Sequence, residues 1–221
     1  MKYLSLLTAS VLMVGCGATK HKGHSALDSV ADLSAVWSDP GPIPVCFVDT
    51  RADWQQYRDL VKDNVTSNYN RTKHIRFSGW GFCPQRSSEP TIRIKLGNPI
   101  PMGNGSVMGC SHIGPGPDSY NVCESLLSNY NGNGFNMYIF PLSEGTDVHE
   151  FGHALGIRHE HARTDAPTRC STGEIAHHGG NIFYITEDYD SESVMGYCNG
   201  TSELSAGDIA GLDALYDWAR Q

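Results

Sequence analysis

The stretch that decides the fold runs His149-Glu150-Phe151-Gly152-His153-Ala154-Leu155-Gly156-Ile157-Arg158-His159. On an α-helix, histidines four positions apart share one face, so His149 and His153 can bind one metal ion. Glu150 lies on the turn between them, where it can take a proton from a metal-bound water. On an unbroken helix His159 would lie about 15 Å beyond His149 along the axis. The helix must therefore end before His159, and Gly156 can adopt the left-handed conformation found at helix ends.

Three neutral histidines with an open position for water predict a catalytic site for one Zn²⁺ ion rather than a closed structural site. Their spacing is the metzincin signature, which a downstream Met-turn completes. The segment Ser193-Val194-Met195-Gly196-Tyr197 supplies that turn. The alternative interpretation, a helix with incidental histidines, leaves both the position of Gly156 and the Met-turn unexplained.

Further positions narrow this to a resemblance to the astacin family. Glu160 follows the third histidine, Arg163-Thr164-Asp165 comes next, and the turn has the pattern Ser-x-Met-x-Tyr. The similarity extends over residues 37–221, and its specific part is residues 146–197.

The resemblance implies a zinc-dependent endopeptidase that hydrolyses peptide bonds through a zinc-activated water, with Glu150 as general base. It implies that Tyr197 is an additional zinc ligand through its phenol oxygen and binds the oxyanion during the reaction. Met195 is expected to form an apolar floor beneath the histidines. In relatives, the residue at the position of Glu160 contacts the buried amino terminus of the mature enzyme. Gly196 departs from the family, which usually has histidine there.

The resemblance also implies the fold, an α/β (α+β) metzincin domain with a twisted mixed sheet and two long helices above the cleft. A loop-rich lower subdomain would carry the Met-turn and a C-terminal helix. Three alternatives remain open: a generic metzincin outside the astacin family, a gluzincin with a distant glutamate ligand, and a non-enzymatic surface lipoprotein stabilised by zinc. The spacing from Gly156 to His159 argues against a gluzincin. Glu150 argues against a structural zinc site, which needs no base.

Apolar patterns predict strands at residues 43–48, 75–77, 92–96 and 136–140. Asp49 or Thr50 can cap a helix that ends near Tyr69. A C-terminal helix is expected to open at Ser205-Ala206-Gly207-Asp208. A short edge strand around Val107-Met108 would let an extended peptide dock by strand addition. A surface loop held by a disulfide is an equally good interpretation of that segment.

The first residues predict export and a lipid anchor. Residues 1–16 combine Lys2 with a short apolar run that ends in Met13-Val14-Gly15-Cys16, and this ending resembles the lipobox of bacterial lipoproteins. Cys16 is the expected site of lipidation. The expected location is therefore extracytoplasmic, anchored to a bacterial membrane, or secreted if the segment is a plain signal peptide.

Residues 17–36 are expected to form a tether or a short pro-segment, in which an aspartate could cap the zinc. The candidates for that cap are Asp28 and Asp32 in this segment and Asp39 shortly after it. Residues 37–221 are expected to form the catalytic domain, which is long enough to bury a core. With 24 acidic and 16 basic residues the chain is acidic, which argues against a nucleic-acid partner. The expected partner is a protein or peptide substrate, and the expected state is a monomer.

The cysteines predict a disulfide framework. Lipidation of Cys16 would leave an even set of cysteines, as suits an oxidising compartment. Many pairings are open from the sequence alone. We favour the one that joins neighbours in the expected chain order, which is Cys46–Cys83, Cys110–Cys123 and Cys170–Cys198.

Overall fold

The computed structural model describes residues 30–39, 41–84, 89–102, 105–115, 134–167, 182–185, 188–198 and 201–221. Cys16, Cys123 and Cys170 lie outside the described residues. Within the ranges given, no helix is both long and apolar enough to cross a bilayer.

A five-stranded mixed sheet forms the centre of the domain. Its strands are β2 (Ile43–Phe47), β3 (Phe77–Phe82), β4 (Ile92–Leu96), β7 (Gly109–Ser111) and β8 (Met137–Ile139). They lie in the order β3-β2-β4-β8-β7. The first four are parallel, and β7 runs antiparallel to β8 at one edge. The predicted mixed sheet is therefore confirmed.

Strand β4 shows why these segments become strands. Ile92, Ile94 and Leu96 are buried while Arg93 and Lys95 are half-buried, which is the two-residue alternation of a pleated strand. The prediction of residues 92–96 is confirmed at both ends.

Three helices accompany the sheet: α1 (Gln55–Tyr69), α2 (Thr146–Ala154) and α3 (Ala206–Ala219). Helix α1 begins later than predicted, because Asp49 accepts hydrogen bonds from the backbone and side chain of Arg51 instead of capping a helix. A 3₁₀ turn at Ala52–Trp54 precedes α1. Helix α3 begins as predicted, with a capping box formed by Ser205 and Asp208.

The core lies where α1 and α2 meet the sheet. Val148, Phe151 and Leu155 are fully buried on the back of α2, opposite the face that carries the signature histidines. The ring of Phe151 packs edge-on against Phe77 at 4.9 Å and stacks on Trp80 at 5.7 Å between centroids. These contacts fix the rotation of α2 on the sheet, and thereby the direction in which its histidines point.

Packing begins before the expected start of the domain at residue 37. Strand β1 (Val30–Asp32) pairs antiparallel with β9 (Ile182–Tyr184), and Ala31 is fully buried. The indole Nε1 of Trp37 donates a hydrogen bond of 2.7 Å to the carbonyl of Ala154. The last part of the expected tether is therefore built into the domain, because its backbone groups pair with other strands and with the end of α2.

Asp32 is engaged away from the histidines. Its carboxylate lies 2.8 Å from the guanidinium of Arg158 and accepts hydrogen bonds from Ser34. Although burial opposes ionisation, these partners hold the pKa of Asp32 below its usual range. The structure thus gives Asp32 a partner other than a metal ion, unlike the capping role considered from the sequence.

Two strand predictions need correction. The strand predicted at 75–77 begins only at Phe77 and continues to Phe82. The edge strand predicted around Val107-Met108 is divided: β6 (Gly105–Val107) pairs with β5 (Ile100–Met102) in a separate hairpin. The strand at this edge of the main sheet is β7, which begins after Met108.

The predicted Cys46–Cys83 disulfide is present and joins β2 to the residue that follows β3. Cys110 and Cys198 are also in disulfides. Their predicted partners, Cys123 and Cys170, lie outside the described residues.

Candidate metal centre

The chain leaves helix α2 where the geometry of the signature requires it. Gly156 has φ +95°, a left-handed conformation that costs glycine little. The N–H of Gly156 donates to the carbonyl of His153, and the N–H of Ile157 donates to the carbonyl of Gly152. This turn reverses the chain and returns His159 to the first two histidines.

The three signature histidines come together as predicted. One ligand atom from each of His149, His153 and His159 can be chosen so that all three lie within 4.8 Å of one another. The Nε2 atoms of His153 and His159 are 3.1 Å apart. Three imidazoles at these distances match the protein ligands of a catalytic zinc site.

Backbone carbonyls fix the orientation of the first two imidazoles. His149 Nδ1 lies 2.8 Å from the carbonyl oxygen of Val194, and His153 Nδ1 lies 2.8 Å from that of Ile157. A carbonyl only accepts, so each Nδ1 carries the proton and donates it. Each Nε2 is left with its lone pair, which is the tautomer needed by a metal ligand. The donor set therefore fits one Zn²⁺ ion.

Glu150 supplies a second test of that fit. Its side chain is buried, and Oε2 has no hydrogen-bond partner among the described residues. Burial raises the pKa of Glu150 to about 8. A buried carboxyl oxygen left without a hydrogen-bond partner is costly, and a bound cation would lower the pKa of Glu150 by supplying a positive charge nearby.

Gly109 on the edge strand is the close neighbour of Glu150. A Cβ at this position would lie 2.6 Å from Oε1 of Glu150 and 2.4 Å from Cγ2 of Thr146. The absence of a side chain at 109 is therefore what allows the carboxyl group to lie against β7. In the sequence Gly109 is one of several glycines in a Gly- and Pro-rich segment, and no pattern there distinguishes it.

Tyr197 lies at the mouth of the site. Its hydroxyl is 2.9 Å from Nε2 of His159, and the residue is 58% exposed. The ring packs on His161 with a centroid distance of 4.3 Å and stacks on His149 at 5.7 Å. A Cβ at Gly196 would meet only the carbonyl oxygen of Ser193, at 3.3 Å. Tyr197 lies beside the histidines although Gly196 stands where the sequence comparison led us to expect histidine.

The Met-turn packs beneath helix α2. Met195 is buried, and its Sδ occupies a position only 2.4 Å from where a Cβ of Gly152 would lie. The backbone carbonyl of Met195 accepts a hydrogen bond from the N–H of Glu160. Met195 thus contacts α2 between the first two histidines and also holds the residue that follows the third.

Glu160, the residue after the third histidine, is buried. Its Oε1 accepts a hydrogen bond of 2.8 Å from the N–H of Asp190 and lies 3.5 Å from Arg163. Burial raises the pKa of Glu160 to about 8, although the contacts with Asp190 and Arg163 oppose that rise. Among the described residues Oε2 has no hydrogen-bond partner.

Known proteins are similar to this chain in sequence over about a third of its length and in fold over most of it. No protein-family model matches the chain. "Zinc metalloproteinase nas-3" of Caenorhabditis elegans is 34% identical over 33% of this chain, and the chain spans 28% of that protein. Myroilysin has a similar fold, with a TM-score of 0.53 and 20% identity over 85% of this chain and 98% of its own. The hatching enzyme HCE-1 of Oryzias latipes, a zinc-protease, also has a similar fold. Its TM-score is 0.51, with 17% identity over 83% of this chain and 95% of its own.

These similarities agree with the signature residues. The chain has the astacin-like metzincin fold, with a mixed sheet and helices arranged as in these structures. Its three histidines form a site compatible with one catalytic zinc ion.

Proposed function

We propose that this protein is a zinc-dependent endopeptidase. The observation that carries the proposal is the convergence of His149, His153 and His159 beside the buried, unpartnered Oε2 of Glu150. The names of the similar proteins, a zinc metalloproteinase and a zinc-protease, support it. The three histidines would hold the ion through Nε2, and Tyr197 is placed to approach it through its phenol oxygen.

The general base in this proposal is Glu150. Bound zinc would supply a Lewis acid that polarises the scissile carbonyl and makes water acidic enough to attack near neutral pH. Glu150 accepts the proton of the attacking water at a carboxylate oxygen and delivers it to the leaving amine. Its pKa of about 8 in the protein alone falls in the field of a cation. That fall gives the carboxylate form required of a base at neutral pH.

Tyr197 stabilises the negative charge that develops on the carbonyl oxygen. Its hydroxyl lies at hydrogen-bond distance from His159, and because the residue is exposed, a bound substrate can reach that hydroxyl. A phenol O–H donates a hydrogen bond to an oxyanion more strongly than to the ground-state carbonyl, which is the requirement for transition-state stabilisation.

The substrate in this proposal is an extended segment of a protein or peptide. Strand β7 pairs with β8 on one side and forms the edge of the five-stranded sheet. Its Gly109 lies directly against Glu150, so a peptide paired with β7 would pass close to the base. Backbone pairing of this kind binds peptides largely independently of their side chains.

The proposed location is the outer side of a bacterial membrane, through a lipid on Cys16. The sequence of residues 1–16 alone supports this part of the proposal. A lipid on Cys16 would keep the catalytic domain close to the membrane surface. Its substrates there would be extracytoplasmic proteins.

Hydrolysis of casein by the zinc-loaded protein tests the proposed activity. We expect cleavage that stops with a chelator and returns with added zinc, and we expect Glu150→Gln to bind zinc while losing at least the ~10²-fold supplied by general acid–base catalysis. Glu144→Gln is the matched control, because Glu144 is exposed and precedes α2. Zinc binding without any hydrolysis in the unaltered protein would instead support a zinc-stabilised surface protein.

A further inference from the structure

The Met-turn is held from below by one buried carboxylate of the C-terminal helix. Asp208 is completely buried. Its Oδ1 accepts a hydrogen bond of 2.6 Å from the hydroxyl of Ser193, and its Oδ2 accepts one of 2.9 Å from the N–H of Val194. The hydroxyl of Ser193 in turn accepts from the N–H of Met195 at 3.0 Å. Three consecutive residues of the turn are therefore fixed, directly or through one hydroxyl, by Asp208.

Val194 connects this arrangement to the metal site. Its N–H is bound by Asp208, and its carbonyl oxygen accepts the Nδ1–H of His149 at 2.8 Å. The position of that carbonyl decides the direction of the imidazole ring and keeps the lone pair on Nε2. Val194 is thus the only residue between the carboxylate of Asp208 and the imidazole of His149 in this series of hydrogen bonds.

Helix capping does not account for all of these bonds. In a capping box, the acidic residue of the first turn needs only to accept from the N–H of the N-cap residue. Asp208 does so, at 3.0 Å from the N–H of Ser205, and Ser205 returns a bond through its hydroxyl. The bonds to Ser193 and Val194 are additional. Burial raises the pKa of Asp208. An ionised carboxylate here is therefore costly unless its oxygens accept those hydrogen bonds.

We propose that Asp208 is a positioning residue for the first zinc ligand: it holds the Met-turn so that the carbonyl of Val194 orients His149. This inference rests on the proposed zinc site. It predicts that a substitution on α3 changes the imidazole of His149 and the affinity for zinc, although Asp208 touches neither the ion nor a histidine.

The second ligand provides an internal comparison. His153 Nδ1 donates to the carbonyl of Ile157, and Ile157 is held by its own N–H bond to Gly152 and by a bridge to Ala31. None of these contacts involves Asp208. Loss of the Asp208 carboxylate should therefore affect the two histidines unequally, whereas a general loosening of the domain would affect both.

The experiment compares Asp208→Ala with Asp147→Ala in the full chain. Asp147 is also a buried aspartate with a raised pKa, and it binds Asn64 rather than the Met-turn. Nitrogen-edited NMR of the zinc-loaded proteins reports each imidazole Nδ1–H, and competition with a chelator gives the dissociation constant for zinc. For Asp208→Ala we expect the His149 signal to shift, the His153 signal to stay, and zinc to bind about 10- to 100-fold more weakly.

Two further variants make the test specific. Asp208→Asn should restore most of the affinity, because its amide oxygen can accept from Val194 after rotation of the side chain. Ser193→Ala removes one link and leaves the helix cap in place, so the same selective shift of His149 is expected even if Asp208→Ala does not fold.

Affinity within about 2-fold of the unaltered protein, or equal shifts of both histidines, would overturn the positioning role. A failure of the unaltered protein to bind zinc would overturn the proposed function instead.

Discussion

Gly109→Ala should damage catalysis without altering any catalytic group. A methyl group at 109 would lie 2.6 Å from Oε1 and 2.9 Å from Cγ of Glu150, and 2.4 Å from Cγ2 of Thr146. Non-bonded heavy atoms pack favourably at about 3.5–4.0 Å. The carboxyl group of Glu150 must therefore move by roughly 1 Å away from β7.

The size of the effect follows from that displacement. A misplacement of about 1 Å in a reacting group can cost ~10²-fold in rate, so we expect kcat for a peptide substrate to fall by about that factor. The zinc content should not change, because the three atoms nearest to a Cβ at 109 belong to Thr146 and Glu150 and not to a histidine. Insertion of one methyl group into a packed site should lower the free energy of unfolding by about 1–3 kcal/mol.

Gly81→Ala is the matched control, because a Cβ at that position of β3 would meet no atom within 4 Å. The assay is hydrolysis of a fluorogenic peptide by both variants at equal zinc occupancy, with thermal unfolding measured in parallel. A Gly109→Ala variant as active as Gly81→Ala would refute the close placement of Glu150 against the edge strand.

Three other substitutions test the role of Tyr197, the raised pKa of Asp147 and the lipid on Cys16. Tyr197→Phe should lower kcat more than it raises KM, by about 10²–10³-fold for loss of one oxyanion donor; full activity would show that the tyrosine only packs at the site. The folded-state pKa of Asp147 is raised by burial, so its contribution to stability is present below the ordinary value and is lost as pH rises through the raised one. The stability of Asp147→Asn relative to the unaltered protein should therefore increase as the pH rises from below the ordinary value of 3.8 to neutrality in urea unfolding of the metal-free chains, and a constant difference over that range would contradict the shift. Cys16→Ser should move the protein from the detergent phase to the aqueous phase, whereas equal partitioning would exclude a lipid on Cys16.

The local chemistry of the signature was predictable because short spacings determine it. The separation of His153 from His159 leaves a continuous helix no way to bring them together, and Gly156 is found in the left-handed conformation that this requires. The capping box at Ser205 and Asp208 likewise depends on residues within one turn. Such features are set by neighbours in the chain, so the sequence displays them.

Other parts of the site depend on contacts between distant segments. Asp208 reads in the sequence as a helix cap, and its bonds to Ser193 and Val194 appear only when α3 lies beneath the Met-turn. Gly109 differs from neighbouring glycines only through its approach to Glu150.

Residues 30–36 show no helical period, yet they pack because the backbone of Val30–Asp32 pairs with β9 and with the turn after α2. Pairing through the backbone leaves little trace in side-chain patterns.

The content of tightly bound zinc in His153→Ala, compared with the unaltered protein, shows whether the three histidines hold the ion. His153 is buried and its Nε2 lies 3.1 Å from that of His159, so its replacement by alanine removes one of the three nitrogen atoms that would hold the ion. After dialysis against a weak chelator, we predict one zinc ion per unaltered chain and a loss of stoichiometric zinc, together with hydrolysis, in the variant. Stoichiometric zinc retained by His153→Ala with unaltered affinity would contradict the assignment of the metal centre.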